Sequence, residues 1–202
     1  MMRHAWGIGL GLVLVLPALS WGAEAGLVGY WRLDSAGPQI TDLSGRGHHA
    51  TLTGGQVRTE GGRSFLHLDG NTRLEVPSAP ELCPRPGFTL ETRVRLSDLT
   101  DGRLLAFKDQ EFLLRLDWPV ENSRLSFFLH DSGGWEPRAN GPTPLADTWY
   151  HLAAVWDGSL VTLWVNGLPY TARRAGLGLA PTANPLIIGG ATGFGKGLIG
   201  DL

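Results

Sequence analysis

The chain has 202 residues, of which 18% are charged, and its formal net charge is −2. Nucleic-acid binding requires clustered Lys and Arg that neutralise phosphates, and a sequence without a basic run argues against that class of protein. A single cysteine, Cys83, excludes an internal disulfide. Because small animal secreted domains are usually rich in disulfides, an exported protein of this composition is more typical of a bacterial envelope.

The beginning of the chain has the pattern of a secretory signal peptide. A basic start precedes an apolar run over residues 7–16, and a proline and small residues follow. The run is shorter than the roughly 20 apolar residues of a transmembrane helix. We predict cleavage between Gly22 and Ala25, which removes residues 1–25 and leaves residues 26–202 secreted, periplasmic or at the cell surface. An uncleaved N-terminal anchor is the alternative, and no other segment is apolar enough to span a membrane.

Alternation of apolar and polar side chains with period two recurs along the rest of the chain. Residues 88–96 alternate as a strand does when one face is buried and the other is in water. Residues 112–118 and 125–130 also alternate, whereas 150–156 and 160–165 are apolar on both faces and are predicted to be central strands. Four turn sequences, interpreted as hairpin turns, lie between these runs: Asp69-Gly70-Asn71, Asp101-Gly102, Asp157-Gly158 and Asn166-Gly167. The pattern predicts one all-β domain, a sandwich or barrel.

The last residues, 197–202, begin another alternating run. We expect this final strand to be truncated, with its continuation beyond Leu202. The alternative is that the domain ends at this position.

Six segments in order resemble the laminin-G-like jelly rolls of the concanavalin A-like lectin/glucanase superfamily. The matching segments are residues 27–34 (LVGYWRLD), 42–52 (DLSGRGHHATL), 65–70 (FLHLDG), 88–94 (FTLETRV), 149–158 with 161–167 (WYHLAAVWDG and VTLWVNG) and 186–190 (LIIGG). Arg93 departs from the pattern, since the family usually has Trp there. The resemblance implies that residues 26–202 form two antiparallel sheets packed face to face, with one concave side.

The resemblance also implies a function. Such modules are usually appended to secreted enzymes, adhesins or surface proteins, where they bind glycans or proteins, although the fold does not fix the ligand. We therefore predict an exported, non-catalytic binding module that recognises carbohydrate or a cell-surface protein. The alternative is the N-terminal accessory domain of a larger secreted glycoside hydrolase or other enzyme, with its catalytic part beyond Leu202.

Catalytic residues are not predicted. Retaining glycoside hydrolysis needs two carboxyl groups roughly 5 Å apart, and the superfamily's enzymes carry them on a Glu-x-Asp-x-(x)-Glu strand. In this sequence Glu91 is followed on its face by Arg93 and Arg95. Asp109 and Glu111 lie between two apolar runs, where we expect a hairpin turn.

A calcium site is predicted at Asp34, Asp42 and Ser44, which lie around a glycine-rich loop whose carbonyls could complete an oxygen shell. Some family members use this corner together with an acid on the last strand. Gly200 stands at the position of that acid, and Asp201 is expected to point to the other face. In the alternative interpretation, Asp34 and Asp42 only bind turn backbone.

The predicted ligand-binding residues are Trp135, Asp131, Arg138 and Asn140, in the long loop that starts at residue 131, with Trp118 at a rim. Sugar rings stack on Trp, and polar side chains fix their hydroxyls. The alternative is that Trp135 folds back as a lid on the core. Three tryptophans in apolar strands are predicted to lie in the core: Trp31, Trp156 and Trp164.

Overall fold

A computed structural model describes residues 26–35, 37–83, 87–176 and 178–202. The predicted signal peptide lies outside these ranges and stays a prediction. In chain order the strands are β1 (Gln39–Ile40), β2 (Ala50–Thr53), β3 (Gln56–Glu60), β4 (Arg63–Asp69), β5 (Arg73–Val76), β6 (Phe88–Leu96), β7 (Arg103–Lys108), β8 (Phe112–Leu116), β9 (Leu125–Leu129), β10 (Ala139–Asn140), β11 (Trp149–Trp156), β12 (Leu160–Val165), β13 (Leu168–Arg173), β14 (Leu186–Ile188), β15 (Lys196–Gly197) and β16 (Ile199–Asp201). The helices of these described ranges are two short 3-10 turns, Pro80–Leu82 and Pro119–Glu121, and neither could cross a membrane.

The strands form two sheets, which confirms the predicted all-β, two-sheet sandwich. Sheet A has the order β1-β2-β5-β14-β7-β8-β9-β10, and the short β15 pairs with β7. Sheet B has the order β13-β12-β11-β6-β16-β4-β3. Pairing is antiparallel except between β15 and β7. The chain crosses repeatedly between the sheets, and the inward side chains of both build one apolar core.

The alternating pattern of β6 is confirmed. Val94 and Leu96 point inward and are buried, whereas Glu91 and Arg93 are exposed. The turns at Asp157 and Asn166 join antiparallel neighbours, as predicted.

The two other glycine turns were wrongly interpreted as hairpins. The turn after Asp69 joins β4 of sheet B to β5 of sheet A, and the turn at Gly102 joins β6 to β7, again between sheets. A positive φ, such as that of Gly70 at 89°, reverses the chain but does not decide whether the flanking strands pair.

The tryptophans of β11 and β12 have opposite environments. Trp156 is 4% exposed in the core, as predicted, but the prediction for Trp164 is wrong because its side chain is 38% exposed. Trp164 lies beside Ala153 and points away from sheet A. An apolar strand can therefore place an aromatic ring in water. Trp31 is half-buried against the core and donates its indole N–H to the carbonyl of His48 at 2.7 Å.

The final strand, β16, lies inside sheet B between β4 and β6. Leu202 continues this pairing, since its backbone exchanges two hydrogen bonds with Leu66, at 2.9 and 3.0 Å. The predicted continuation of the strand beyond Leu202 stays a prediction.

Candidate functional site

The outer face of sheet A, which points away from sheet B, is covered by two loops. One loop, residues 130–138, joins β9 to β10 and is called the Trp135 loop. The other, residues 189–195, joins β14 to β15. Beneath them lies a second apolar cluster, separate from the core: Leu104, Phe107, Leu113, Phe128 and Ile187. The strands β7, β8 and β9 are therefore buried on both faces.

Trp135 is half-buried on top of this second cluster. Its ring centroid lies 4.8 Å from that of His130, 5.3 Å from that of Phe194 and 6.3 Å from that of Phe107. These rings hold one side of the indole against the sheet while part of it stays in contact with solvent. Trp135 thus covers the second apolar cluster, as a lid would, and still exposes part of its ring to a ligand.

Arg174 fixes the backbone of the Trp135 loop. This side chain is 6% exposed, and its guanidinium donates to the carbonyl of Leu129 and, at 3.1 Å, to that of Gly134. It also pairs with Asp131 at 2.9 Å. Asp131 is one of the predicted ligand contacts. In the structure its carboxylate is already paired with Arg174, and this ion pair positions the loop.

A polar network occupies the neighbouring part of the same face. Asp117 is fully buried and accepts hydrogen bonds from Arg115 Nε at 2.9 Å and Ser126 Oγ at 2.6 Å. Burial raises the pKa of Asp117 above its ordinary value, although the hydrogen bonds from Ser126 and Arg115 act in the opposite direction.

Arg138 and Asn140, both predicted ligand residues, belong to this network. Arg138 donates to Asn140 Oδ1 at 2.8 Å and to Glu121 Oε1 at 2.7 Å. The guanidinium carbons of Arg138 and Arg115 both lie 4.9 Å from the ring centroid of Phe128, within cation–π range. The network therefore rests on the second apolar cluster, which also supports Trp135.

Trp118 has a supporting position in the structure. It precedes the short helix Pro119–Glu121, and its carbonyl accepts the backbone N–H of Glu121 at 2.8 Å. A side chain at Gly102 would collide with its indole ring, so the ring packs closely on that turn. Trp118 thus places Glu121 opposite Arg115 and Arg138.

Sequence reasoning missed Arg115, Asp117 and Glu121. The signal available for two of them was the alternation of residues 112–118, which places Arg115 and Asp117 on one face. The loops that cover this face lie outside the strand, and one of them, residues 189–195, is far along the chain, so the burial of these charges was not predictable from the strand.

A shallow depression of about 490 Å³ borders the Trp135 loop. Residues of the loop and of the chain around the end of β13 line it, and four of them are charged: Asp131, Glu136, Arg173 and Arg174. It offers both hydrogen-bond acceptors and donors close to the exposed edge of the loop.

Asp42 and Ser44 lie together in the loop before β2. Asp42 Oδ1 accepts the backbone N–H groups of Tyr30 and Ser44, each at 2.9 Å, and Oδ2 accepts that of His48 and the Ser44 hydroxyl. Burial tends to raise the pKa of Asp42, but these hydrogen bonds outweigh it and lower the pKa to about 2. This geometry favours the alternative interpretation, in which Asp42 binds turn backbone.

The remaining residues of the predicted calcium site have other contacts. Asp34 pairs with Arg32. A Cβ atom on Gly200 would overlap the carbonyl oxygen of Arg95, and Asp201 bonds instead to His67 and Arg95 at 2.8 and 2.7 Å. Within the described ranges, no three His, Cys, Asp or Glu side chains are grouped as metal ligands. Calcium binding stays a prediction.

The acids considered for catalysis lie in the predicted hairpin turn. Asp109 and Glu111 are between β7 and β8, which pair as antiparallel neighbours. Glu111 is 1% exposed and forms a buried ion pair with Lys108.

Comparison with known proteins agrees with this architecture. The profile of the concanavalin A-like lectin/glucanases superfamily matches residues 68–202. No curated protein matches the chain in sequence.

Two solved structures share the fold. Domain 4 of AbnA, a GH43 extracellular arabinanase from Geobacillus stearothermophilus in complex with arabinotriose, superposes with a TM-score of 0.58 at 19% identity, covering 80% of this chain and 84% of that one. Trypanosoma rangeli sialidase superposes with a TM-score of 0.61 at 18% identity, covering 89% of this chain but 30% of the sialidase. Both are similar in fold. Since the superfamily profile covers more than half of the sequence, the chain belongs to the concanavalin A-like lectin/glucanase superfamily.

Proposed function

We propose that the chain is an exported, non-catalytic module that binds carbohydrate on the outer face of sheet A, at the Trp135 loop. The observation that carries the proposal is the partly buried indole of Trp135 in a loop that also borders a depression lined by carboxylates and guanidinium groups. A sugar ring would stack its C–H face on the indole, and the charged groups would bind its hydroxyls. The polar contacts of the site would come from three side chains that also hold the loop in place: Asp131, Arg138 and Asn140. Trp118 would support the edge of the site by positioning Glu121, which binds Arg138.

The non-catalytic part of the proposal is supported by the pairing of the acids on this face. Asp117 and Glu121 are engaged with Arg115 and Arg138. A retaining glycosidase instead needs one carboxyl group that keeps a proton and another that is free to attack. Export is supported by the signal-peptide pattern of residues 1–25, and the similar arabinanase domain is part of an extracellular protein.

The second candidate is an accessory domain of a larger secreted enzyme. It is favoured by the sialidase comparison, in which the matching region is 30% of a longer protein. The binding site proposed above would be the same in both cases, and the full reading frame distinguishes them.

The test is a calorimetric titration with a panel of neutral and acidic oligosaccharides that includes arabinotriose. For a sugar that binds, Trp135→Ala should lower the affinity about tenfold, because a stacked aromatic contact contributes about 0.5–1.5 kcal/mol beyond area burial. Trp135→Phe should retain part of the affinity.

The matched control is Trp164→Ala, which removes an exposed indole from the outer face of sheet B. It should leave the affinity unchanged. Equal affinities of wild type and Trp135→Ala, with melting curves that show both to be folded, would contradict the proposed site.

A further inference from the structure

The candidate binding surface on sheet A is elongated, because three parts of it lie side by side across the strands. The order β7-β8-β9-β10 places the 189–195 loop, which returns to β7, on one side of the Trp135 loop, which leads into β10. Beyond β10 lies β13, the edge strand of sheet B, and its end borders the depression. Neighbouring strands are about 4.8 Å apart, so a surface that extends from β8 to β13 is roughly 15 Å long.

Phe194 is the aromatic residue of the 189–195 loop. It packs on the second apolar cluster but, like Trp135, stays partly exposed. Its ring centroid lies 5.3 Å from that of Trp135 and 5.1 Å from that of Phe107. Two loops that are far apart in sequence therefore contribute one ring each to a continuous aromatic surface.

The backbone that carries Phe194 is fixed by hydrogen bonds. Thr192 and Gly195 exchange two backbone bonds, at 2.9 and 3.4 Å, and Thr192 Oγ1 accepts the backbone N–H of Phe194 at 3.1 Å. The buried side chain of Arg115 donates to the carbonyl of Phe194 at 3.0 Å. Since Arg115 belongs to the polar network that also holds the Trp135 loop, the two rings are positioned together. Side chains that are ordered before binding lose little conformational entropy when a ligand binds.

The angle between the two rings favours a ligand with more than one sugar ring. The planes of Phe194 and Trp135 are inclined to each other by 59°. A sugar ring that stacks on the indole therefore does not lie parallel to the phenyl ring, and stacking on both aromatics requires two sugar rings. Successive rings of an oligosaccharide rotate relative to each other about the glycosidic bond, so two of them can stack on two inclined aromatic rings.

We propose that the ligand of the Trp135 loop is an oligosaccharide chain that runs across the strands, from Phe194 over Trp135 into the depression. At least three sugar rings contact the protein. Phe194 is the second stacking residue, and Glu136 and Arg173, which line the depression, bind hydroxyl groups of the third ring. This inference rests on the proposed carbohydrate function and specifies its ligand as a chain rather than a single sugar.

The test is a calorimetric titration of the full chain with sugars of increasing length. The probes are the mono-, di-, tri- and tetrasaccharides of arabinose, xylose, glucose and galacturonic acid. For a series that binds, the affinity should rise at least about tenfold from the monosaccharide to the trisaccharide, because each added ring reaches another part of the surface. The tetrasaccharide should bind within a factor of about two of the trisaccharide, since its fourth ring extends beyond the roughly 15 Å of surface.

Substitutions of Phe194 locate the second stacking contact. Phe194→Ala should lower the trisaccharide affinity about tenfold, as expected for a lost aromatic contact, and leave the monosaccharide affinity within a factor of about two. Phe194→Leu keeps an apolar side chain on the second cluster and should show the same selective loss, so the test remains valid if the alanine variant does not fold. The control is Tyr30→Ala, which removes an exposed aromatic ring outside this surface and should change neither affinity.

The outcomes distinguish this inference from the proposed function. A monosaccharide that binds as tightly as the trisaccharide, and depends on Trp135, would mean that the two rings enclose a single sugar. The chain would then be wrong, and the carbohydrate function would stand. A trisaccharide affinity that neither Phe194 variant changes, or an equal loss for monosaccharide and trisaccharide, would overturn the chain as well. If no series binds, or if Trp135→Ala leaves all affinities unchanged, the carbohydrate site itself is contradicted and the inference fails with it.

Discussion

The two outer faces of the sandwich differ, although β6 of sheet B and β8 of sheet A have the same alternating sequence pattern. On sheet B, more and less buried residues alternate along β6 and β11, and Glu91 and His151 meet in solvent at 2.7 Å. On sheet A, β8 and β9 are buried at every position. Polar residues at alternate positions therefore lie in water on one sheet and under loops on the other.

This difference in coverage determines which charged side chains keep a fixed position. Arg115 and Asp117 would be mobile surface charges on an open face. Under the loops they are desolvated and fully paired, which fixes Glu121 between Arg115 and Arg138 and holds both guanidinium groups over the Phe128 ring. The covered face is thus a rigid support for the Trp135 loop, and the open face of sheet B is not.

The largest expected effect comes from comparing two tryptophans of the β11–β12 hairpin, one buried in the core and one exposed on the outer face of sheet B. Trp156→Ala should lower the free energy of unfolding by about 3–5 kcal/mol, since it leaves a cavity in the core. Trp164→Ala should cost about 1 kcal/mol, a typical value for a partly exposed position. Urea unfolding of both variants measures the difference. Similar costs would mean that Trp164 is buried in solution by a contact that the monomer does not show.

A second comparison tests the two outer faces directly. Asp117→Ala should destabilise the protein by about 2–3 kcal/mol, because it removes one of the two carboxylates that pair with the buried guanidinium of Arg115 and takes the acceptor from Arg115 Nε and from Ser126 Oγ. Glu91→Ala removes an exposed carboxylate from the open face and should stay within about 0.5 kcal/mol of wild type. Denaturant midpoints report both effects. If the two substitutions cost the same, the covered face is solvated in solution.

Local signals predicted much of the fold. The period of β6 and the turns at Asp157 and Asn166 depend on neighbouring residues, and each was confirmed. Sheet membership depends on distant residues, so the turn at Asp69 was interpreted as a hairpin although it crosses between sheets.

The candidate site was predictable only in part for the same reason. The long polar loop identified Trp135, Arg138 and Asn140 from local sequence. The burial of Arg115 and Asp117 depends on the Trp135 loop and on Phe194, which is far along the chain. The exposure of Trp164 depends on whether any element covers the outer face of sheet B. The sequence of the strand itself predicts neither the burial of Arg115 and Asp117 nor the exposure of Trp164.

The smallest expected effect concerns a second buried carboxylate, Asp42, whose pKa shifts in the direction opposite to that of Asp117. Hydrogen bonds lower the pKa of Asp42 from 3.8 to about 2. A carboxyl group with a lower pKa in the folded state stabilises the fold above its ordinary pKa, and this contribution disappears as the pH falls through the folded value. The stabilisation from Asp42 should therefore be complete above about pH 4 and lost toward about pH 2.

Asp42→Asn isolates this contribution from those of other carboxylates, because they titrate in both proteins. The difference in unfolding free energy between wild type and variant should shrink by about 1 kcal/mol between pH 6 and pH 2.5, after allowance for solvent screening. Urea unfolding at several pH values measures it. A difference that stays constant with pH would show that the Asp42 carboxylate does not hold the loop through its charge, and that the hydrogen bonds from Tyr30, Ser44 and His48 stabilise its neutral form equally well.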